Sequence, residues 1–181
     1  MPASRRQTGF FILAAFVTAL AGCASSGKKV AELPEPVTAL DVQIERGPGI
    51  AWRDVAAANH EGLDKVVGLY MQELGKNIKP GFAATSIPVQ LAGDGAVNPS
   101  APPSYVLLLK PVDAEVILNG GKIAGLRTID LEVSLVHVPQ KLTVWRYSTL
   151  LDGNPKRSLL PDAQAIADAL IQQGLIPRAP R

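Results

Sequence analysis

Between Tyr105 and Leu151 the chain carries three long alternating runs joined by two tight-turn signals, and few folds accept that pattern. Tyr105–Leu118 begins almost wholly apolar and then sets Val112, Ala114, Val116 and Leu118 against Asp113, Glu115 and Asn119. Ile123–Val138 sets Ile129, Leu131, Val133 and Leu135 against Asp130, Glu132 and Ser134. Leu142–Leu151 places Thr143, Trp145, Tyr147 and Thr149 on one face and Val144, Arg146 and Ser148 on the other. A period of two sends alternate side chains to opposite faces, so each run reads as a strand. Asn119-Gly120-Gly121-Lys122 accepts the positive φ of a tight hairpin, and Val138-Pro139-Gln140-Lys141 turns the chain again. Strands linked this closely form an antiparallel meander, whose apolar face must be covered by other elements.

Two segments supply the cover. From Trp52 to Ile78 the period becomes helical: Leu63, Val66, Val67, Tyr70, Leu74 and Ile78 share one face, while Lys65, Gln72, Glu73 and Lys76 lie largely off it. Asn59 or Asp54 offers an N-cap, Trp52 packs over the first turn, and Pro80-Gly81 closes the helix. A second helix runs from Asp162 to Gln173 with Ile166, Ala169 and Leu170 on one side. Gly174 fits the left-handed position after it, with Leu175 and Ile176 folding back. Before the first helix Leu40, Val42 and Ile44 alternate with Asp41, Gln43 and Glu45, a half-buried strand ended by Gly47-Pro48-Gly49. After it, Ile87, Val89 and Leu91 make a short edge strand with Pro88 outward. The order β-α-(β)-β-β-β-α predicts an α+β fold, an antiparallel sheet of four to five strands with two helices on one face.

The N-terminus has the three parts of an export signal. Arg5 and Arg6 are followed by the uncharged apolar run Gly9–Leu20, too short to span a bilayer core that takes about 20 helical residues. Leu20-Ala21-Gly22-Cys23 follows, and this tetrad resembles the bacterial lipobox. The resemblance implies a diacylglyceryl group on the Cys23 thiol, a dedicated peptidase that recognises Leu20, Ala21 and Gly22, and acylation of the new amino group. It implies a membrane as partner. Ala24, where an aspartate would resemble an inner-membrane retention signal, points to the periplasmic face of the outer membrane. Cys23 is the only cysteine, so no intrachain disulfide is possible.

These signals divide the 181 residues into a signal peptide over 1–22, a lipidated tether over 23–37, one domain over 38–177 with a Pro/Gly-rich insert at 80–104, and a tail over 178–181. Lys plus Arg number 18 against 16 acidic residues, and removing Arg5 and Arg6 with the signal leaves the charges balanced. A nucleic-acid partner demands a basic excess or stripe, so none is expected.

Chemistry-bearing residues are sparse. His60 and His137 have no further histidine or cysteine at metal spacing, and no phosphate loop, dinucleotide fingerprint or nucleophile elbow occurs. The expectation is therefore no catalytic residue, no metal and no cofactor. His60-Glu61 beside Asp64 reads better as a solvated helix start than as a base site. Asp113 and Glu115 on one strand face Asp130 and Glu132 on the next, with Lys110, Lys122 and Arg127 near in sequence. Four carboxylates meeting there would repel without an intervening cation, and a hydrated outer face is the simpler reading. Trp145 and Tyr147, with Trp52 and Tyr70, are the candidate partner or ligand contacts, weighed against core packing.

The strand-then-helix opening at Ala39–Ile78, and the strand ending Val144-Trp145-Arg146-Tyr147 before a helix, make the mature chain similar to accessory lipoproteins of envelope transport and assembly, including the ABC-transport auxiliary group. That resemblance implies a non-enzymatic adaptor that presents an edge near Val42, or the 80–104 insert, to an envelope protein. The alternative is a periplasmic binder of a small apolar or lipid ligand in a pocket lined by Leu63, Val67 and Tyr70. A cell-wall or glycan hydrolase using the acids at 113, 115, 130 and 132 ranks last.

Overall fold

The computed structural model describes residues 27–45, 50, 52, 55–92, 103–120 and 122–180. The lipobox residues Leu20, Ala21, Gly22 and Cys23, the candidate cap Asp54 and most of the loop before Ser104 lie outside them.

Strand β1 spans Gly27–Lys29 and β2 spans Leu40–Ile44. A turn of 3-10 helix at Ala57–Asn59 leads into helix α1, His60–Gly81. The short β3, Val89–Leu91, precedes three long strands: β4 at Tyr105–Asn119, β5 at Lys122–His137 and β6 at Leu142–Asp152. Helix α2, Leu160–Gln172, completes the α+β fold. The sheet has six strands in the order β1-β6-β5-β4-β2-β3.

Two features depart from the expected antiparallel sheet of four to five strands. β1 adds a strand from within the segment expected as a tether, pairing antiparallel with β6 through Gly27↔Tyr147 and Lys29↔Trp145. β2 pairs in parallel with both β3 and β4. Parallel neighbours need a long crossover, and α1 provides it between β2 and β3. Val42 is therefore interior, and the edge expected near it belongs to β3 instead.

The strand phases decide which face is buried. Leu107, Leu135 and Trp145 fall in one register row, and Leu109, Val133 and Tyr147 in the next. These residues are buried together with Leu63, Val67, Met71, Leu74 and Ile78 of α1 and Ala163, Ile166 and Leu170 of α2. The sheet's inner face and the helices thus share one core. α1 and α2 meet closely at Gly81, where a Cβ would lie 2.6 Å from Ala163 Cβ. No side chain fits there. α2 ends as its residues require: Gly174 has φ +67, the Leu175 amide donates to the Leu170 carbonyl at 3.0 Å, and Leu175 and Ile176 are buried.

Residues 27–39 and Ala179 are tied down more than composition indicates. After β1 the Val30 amide donates to the Val144 carbonyl at 2.8 Å, and Tyr105 Oη donates to the Glu35 carbonyl at 2.7 Å. Residues 30–39 cross the ends of β6, β5 and β4 to reach β2, with Val37 buried. From Gly27 onward the expected tether is part of the domain. The expected tail is docked too, since the Ala179 amide donates to the Ala84 carbonyl at 2.8 Å.

Candidate functional site

Among the described residues two surface depressions stand beside residues singled out from the sequence. The first is an open groove of about 340 Å³ on the outer side of α1. It is lined by Val66, Leu69, Tyr70, Glu73, Lys76, Pro155, Arg157 and Leu159. Helical spacing brings Val66, Leu69 and Glu73 to one flank, and the bend after β6 brings Pro155 and Arg157 to the other. Leu69 is 64% exposed and Val66 38%, whereas Leu63, Val67, Met71, Leu74 and Ile78 of the same helix are buried. Lys76 is held by Glu73 at 2.8 Å, and Arg157 lies 3.6 Å from Asp152 and 3.5 Å from Asp162. The groove is therefore an apolar strip with paired charges at its rim. Burial raises the Asp162 carboxyl above the usual aspartate value, against the pull of Arg157.

Tyr70 joins this groove to the core: its hydroxyl donates to the Gly153 carbonyl, and burial raises its own proton affinity. Leu63 and Val67, expected with it in one ligand pocket, belong instead to the buried core. Leu69 lies outside the apolar stripe of α1, which marks it as a surface residue, whereas Val66, expected within that stripe, is 38% exposed as well.

The second depression, about 560 Å³, lies where the β4–β5 hairpin leaves the sheet. Asp113, Glu115, Val116, Leu118, Thr128, Asp130 and Leu150 line it. The expected meeting of four carboxylates is reduced to three. Asp113 and Asp130 are register partners after a bulge at Val112, whereas Glu132 sits opposite Lys110. Arg127 answers Glu115 at 2.8 Å and Lys110 answers Glu45 at 3.7 Å. Asp130 is raised above the usual aspartate value, first by burial and then by the charge of Asp113. Among the described residues no group of three or more histidine, cysteine or acidic side chains is placed to hold a metal ion.

The aromatic candidates lie inward. Trp145 is 0% exposed and Tyr147 2%, their rings stacked 5.5 Å apart, so they form no exposed platform. Trp145 Nε1 is buried without a hydrogen-bond partner, with Gly27 lying over it. Trp52 is buried and its Nε1 donates to Asp64 Oδ1 at 2.8 Å. The trio His60, Glu61 and Asp64 disperses: His60 meets the Val55 carbonyl, Glu61 pairs with Lys65, and Asp64 accepts from Trp52.

A third cluster was not foreseen. His137 is buried at the end of β5, its ring 5.0 Å from that of Tyr105 and its Nε2 3.5 Å from Glu35 Oε1. That contact is an ion pair when the imidazole is protonated. Glu35 is held below the usual glutamate value, chiefly by a hydrogen bond from Ser104 and, against desolvation, by His137. The cluster fastens residues 30–39 to the sheet end. It was hidden because Glu35 lies in a proline-bearing stretch that composition assigns to a linker.

No protein-family model matches the chain, and no curated protein matches it. Solved structures do. The PelC dodecamer from Paraburkholderia phytofirmans is 14% identical, over 81% of this chain and 95% of that one, at a TM-score of 0.39. Protein XCC0632 from Xanthomonas campestris is 15% identical over 82% and 87%, at 0.36. Lipoprotein GNA1162 from Neisseria meningitidis is 12% identical over 75% and 96%, at 0.31. These are distant likenesses of outline.

Proposed function

We propose that the chain is an outer-membrane-anchored periplasmic lipoprotein that works as a non-enzymatic accessory subunit of envelope transport or assembly. The anchor rests on Leu20-Ala21-Gly22-Cys23 with the charged and apolar segments before it. The adaptor role rests on one observation, the apolar groove between α1 and the bend after β6, with Leu69 64% exposed on its α1 flank. An apolar strip rimmed by paired charges suits an apolar ridge of a protein partner.

The test is crosslinking in intact cells with the acylated full-length protein, comparing wild type with Leu69→Asp. Leu69 contributes little to the core, so the variant keeps the wild-type melting temperature. It loses the crosslink to a stoichiometric envelope protein, by at least about tenfold, because a charge in an apolar contact costs well over 1.4 kcal/mol. An unchanged crosslink pattern would remove the groove from the function. The same groove has the volume of a small-molecule site, which keeps an apolar ligand as the second reading. Organic extraction of the purified protein that yields a stoichiometric lipid, absent from Leu69→Asp, would favour it.

A further inference from the structure

We infer that the tip of the β4–β5 hairpin inserts into the same lipid surface that holds acylated Cys23, so that the protein touches the membrane at two points. The inference rests on the lipoprotein reading above and adds a second, non-covalent contact.

The hairpin outruns its supports. β2 pairs with β4 only from Val106 to Leu109, and β6 pairs with β5 only from Thr128 to His137. Beyond them β4 and β5 pair with each other alone, ending at Asn119↔Lys122. One side of this ribbon is covered, with Leu126 buried and Val116 and Ile123 packed against the core. The apolar side chains left uncovered near the tip are Leu118, 55% exposed, and Ile117, 39%.

Its direction joins it to the anchor. β1 runs antiparallel to β6, so the chain enters Gly27 from the end of the sheet at which β6 finishes and the hairpin projects. Cys23 is four residues before Gly27, which limits its reach to about 14 Å from that point. Gly27 lies level with Tyr147, Val133 and Leu109, and Asn119 is ten residues beyond Leu109, about 33 Å along the strand. The arm therefore reaches further in that direction than the anchor can. A membrane that holds Cys23 lies within the arm's reach.

Polarity along the arm sets the depth. Asp113, Glu115 and Asp130 stand at its base with Arg127 paired to Glu115, and Leu118 lies beyond them. Glu115 lies six residues beyond Leu109, about 20 Å along the strand. With the arm leaning about 45° from the membrane normal, Glu115 comes level with a surface about 14 Å from Gly27, and the tip rests about 9 Å below it, the depth at which interfacial segments lie. The charged base stays in water, and Lys122 beside the turn keeps its ammonium among the head groups.

A second copy of the chain fits the arm less well. Register shifts leave Val112 of β4 and Arg127 and Ala124 of β5 without register partners and so distort both free edges of the arm, as bulges do where strand addition is blocked. Two arms laid side by side would also bring their acidic bases together.

The experiment places an environment-sensitive NBD label at Leu118→Cys in the full-length acylated protein, whose own cysteine is capped by lipid. The control carries the label at Ser148→Cys on the open sheet face. Both are reconstituted in vesicles of phosphatidylethanolamine with a minority of phosphatidylglycerol. The expected result is a blue-shifted label at 118, quenched severalfold more than the label at 148 by lipids bearing a doxyl group on the acyl chain. Adding Ile117→Asp reverses the shift while the protein still floats with the vesicles. An aqueous label at 118 on a protein that floats overturns the inference and leaves the anchor standing. A blue shift that depends on protein concentration and escapes doxyl quenching means that a second copy covers the tip, and overturns it too. A protein whose mass shows no acyl groups and which does not float overturns the reading on which the inference rests.

Discussion

Two carboxylates of this domain are displaced in opposite directions, and their signs separate their effects. Glu35 is lowered by Ser104 and His137, so its contribution to stability is present above the usual glutamate value and fades as pH falls through the lowered one. Asp130 is raised by burial and by Asp113, so the native state binds the extra proton and stability declines as pH rises through the raised value. In Asp113→Asn the titration midpoint of Asp130, followed by carboxyl-carbon NMR, falls but stays above the usual aspartate value. Burial is the larger cause and the substitution leaves it in place. A midpoint that did not move would mean that Asp113 is too well screened to act. Tyr105 permits a direct measure of the strap over the sheet end. Tyr105→Phe removes the donor to the Glu35 carbonyl while keeping the ring beside His137, and denaturant unfolding should show a loss of about 1 kcal/mol.

β1 is the element that sequence reading does not reveal. Gly27-Lys28-Lys29 has neither alternation nor β-branched residues, and it is a strand because β6 offers an edge and Trp145 needs a cover without a side chain. A Cβ at Gly27 would stand 2.9 Å from Trp145 Nε1. Gly27→Val therefore has two outcomes, repacking around the indole or undocking of β1. Overpacking costs about 1–3 kcal/mol, whereas undocking forfeits a few hydrogen bonds at about 1 kcal/mol each. The two are close, and a three-residue edge strand is the easier part to release. The expected result is rapid cleavage after Lys28 or Lys29 in limited trypsin digestion with a small fall in melting temperature. Unchanged protection would mean that the indole moves instead. The other elements were readable because each carries its own period: β4 to β6 every second residue, α1 its stripe, α2 its glycine stop. The parallel pairing of β2 was not readable, since alternation fixes which face is buried and says nothing of strand direction. Trp145 and Tyr147 divide the same way. Their shared face followed from spacing, but whether that face was covered depended on helices distant in sequence.

For the whole molecule, docking of residues 27–39 changes the distance between domain and membrane. A tether over 23–37 would let the domain roam several tens of ångströms from its anchor. With β1 paired and Glu35 and Val37 held, only residues 24–26 separate Cys23 from the folded chain. On the lipoprotein reading the domain rides at the lipid surface, and a partner in that membrane meets it at high effective concentration. Inserting a glycine-serine spacer of about 20 residues between Ser26 and Gly27 tests this without touching the fold. The spacer has a root-mean-square span of about 25 Å, enough to lift both the groove and the hairpin tip clear of the head groups. Thermal unfolding should match the wild type, because every described contact lies downstream of the insertion. Crosslinking to a membrane-embedded partner should drop severalfold, and labels on the domain should become more accessible to aqueous quenchers. A spacer that leaves both unchanged would show that contacts of the folded domain itself, and not the short link, hold it at the surface. The hairpin tip would then be the first place to substitute, since it is the apolar element that projects furthest toward the anchor's side.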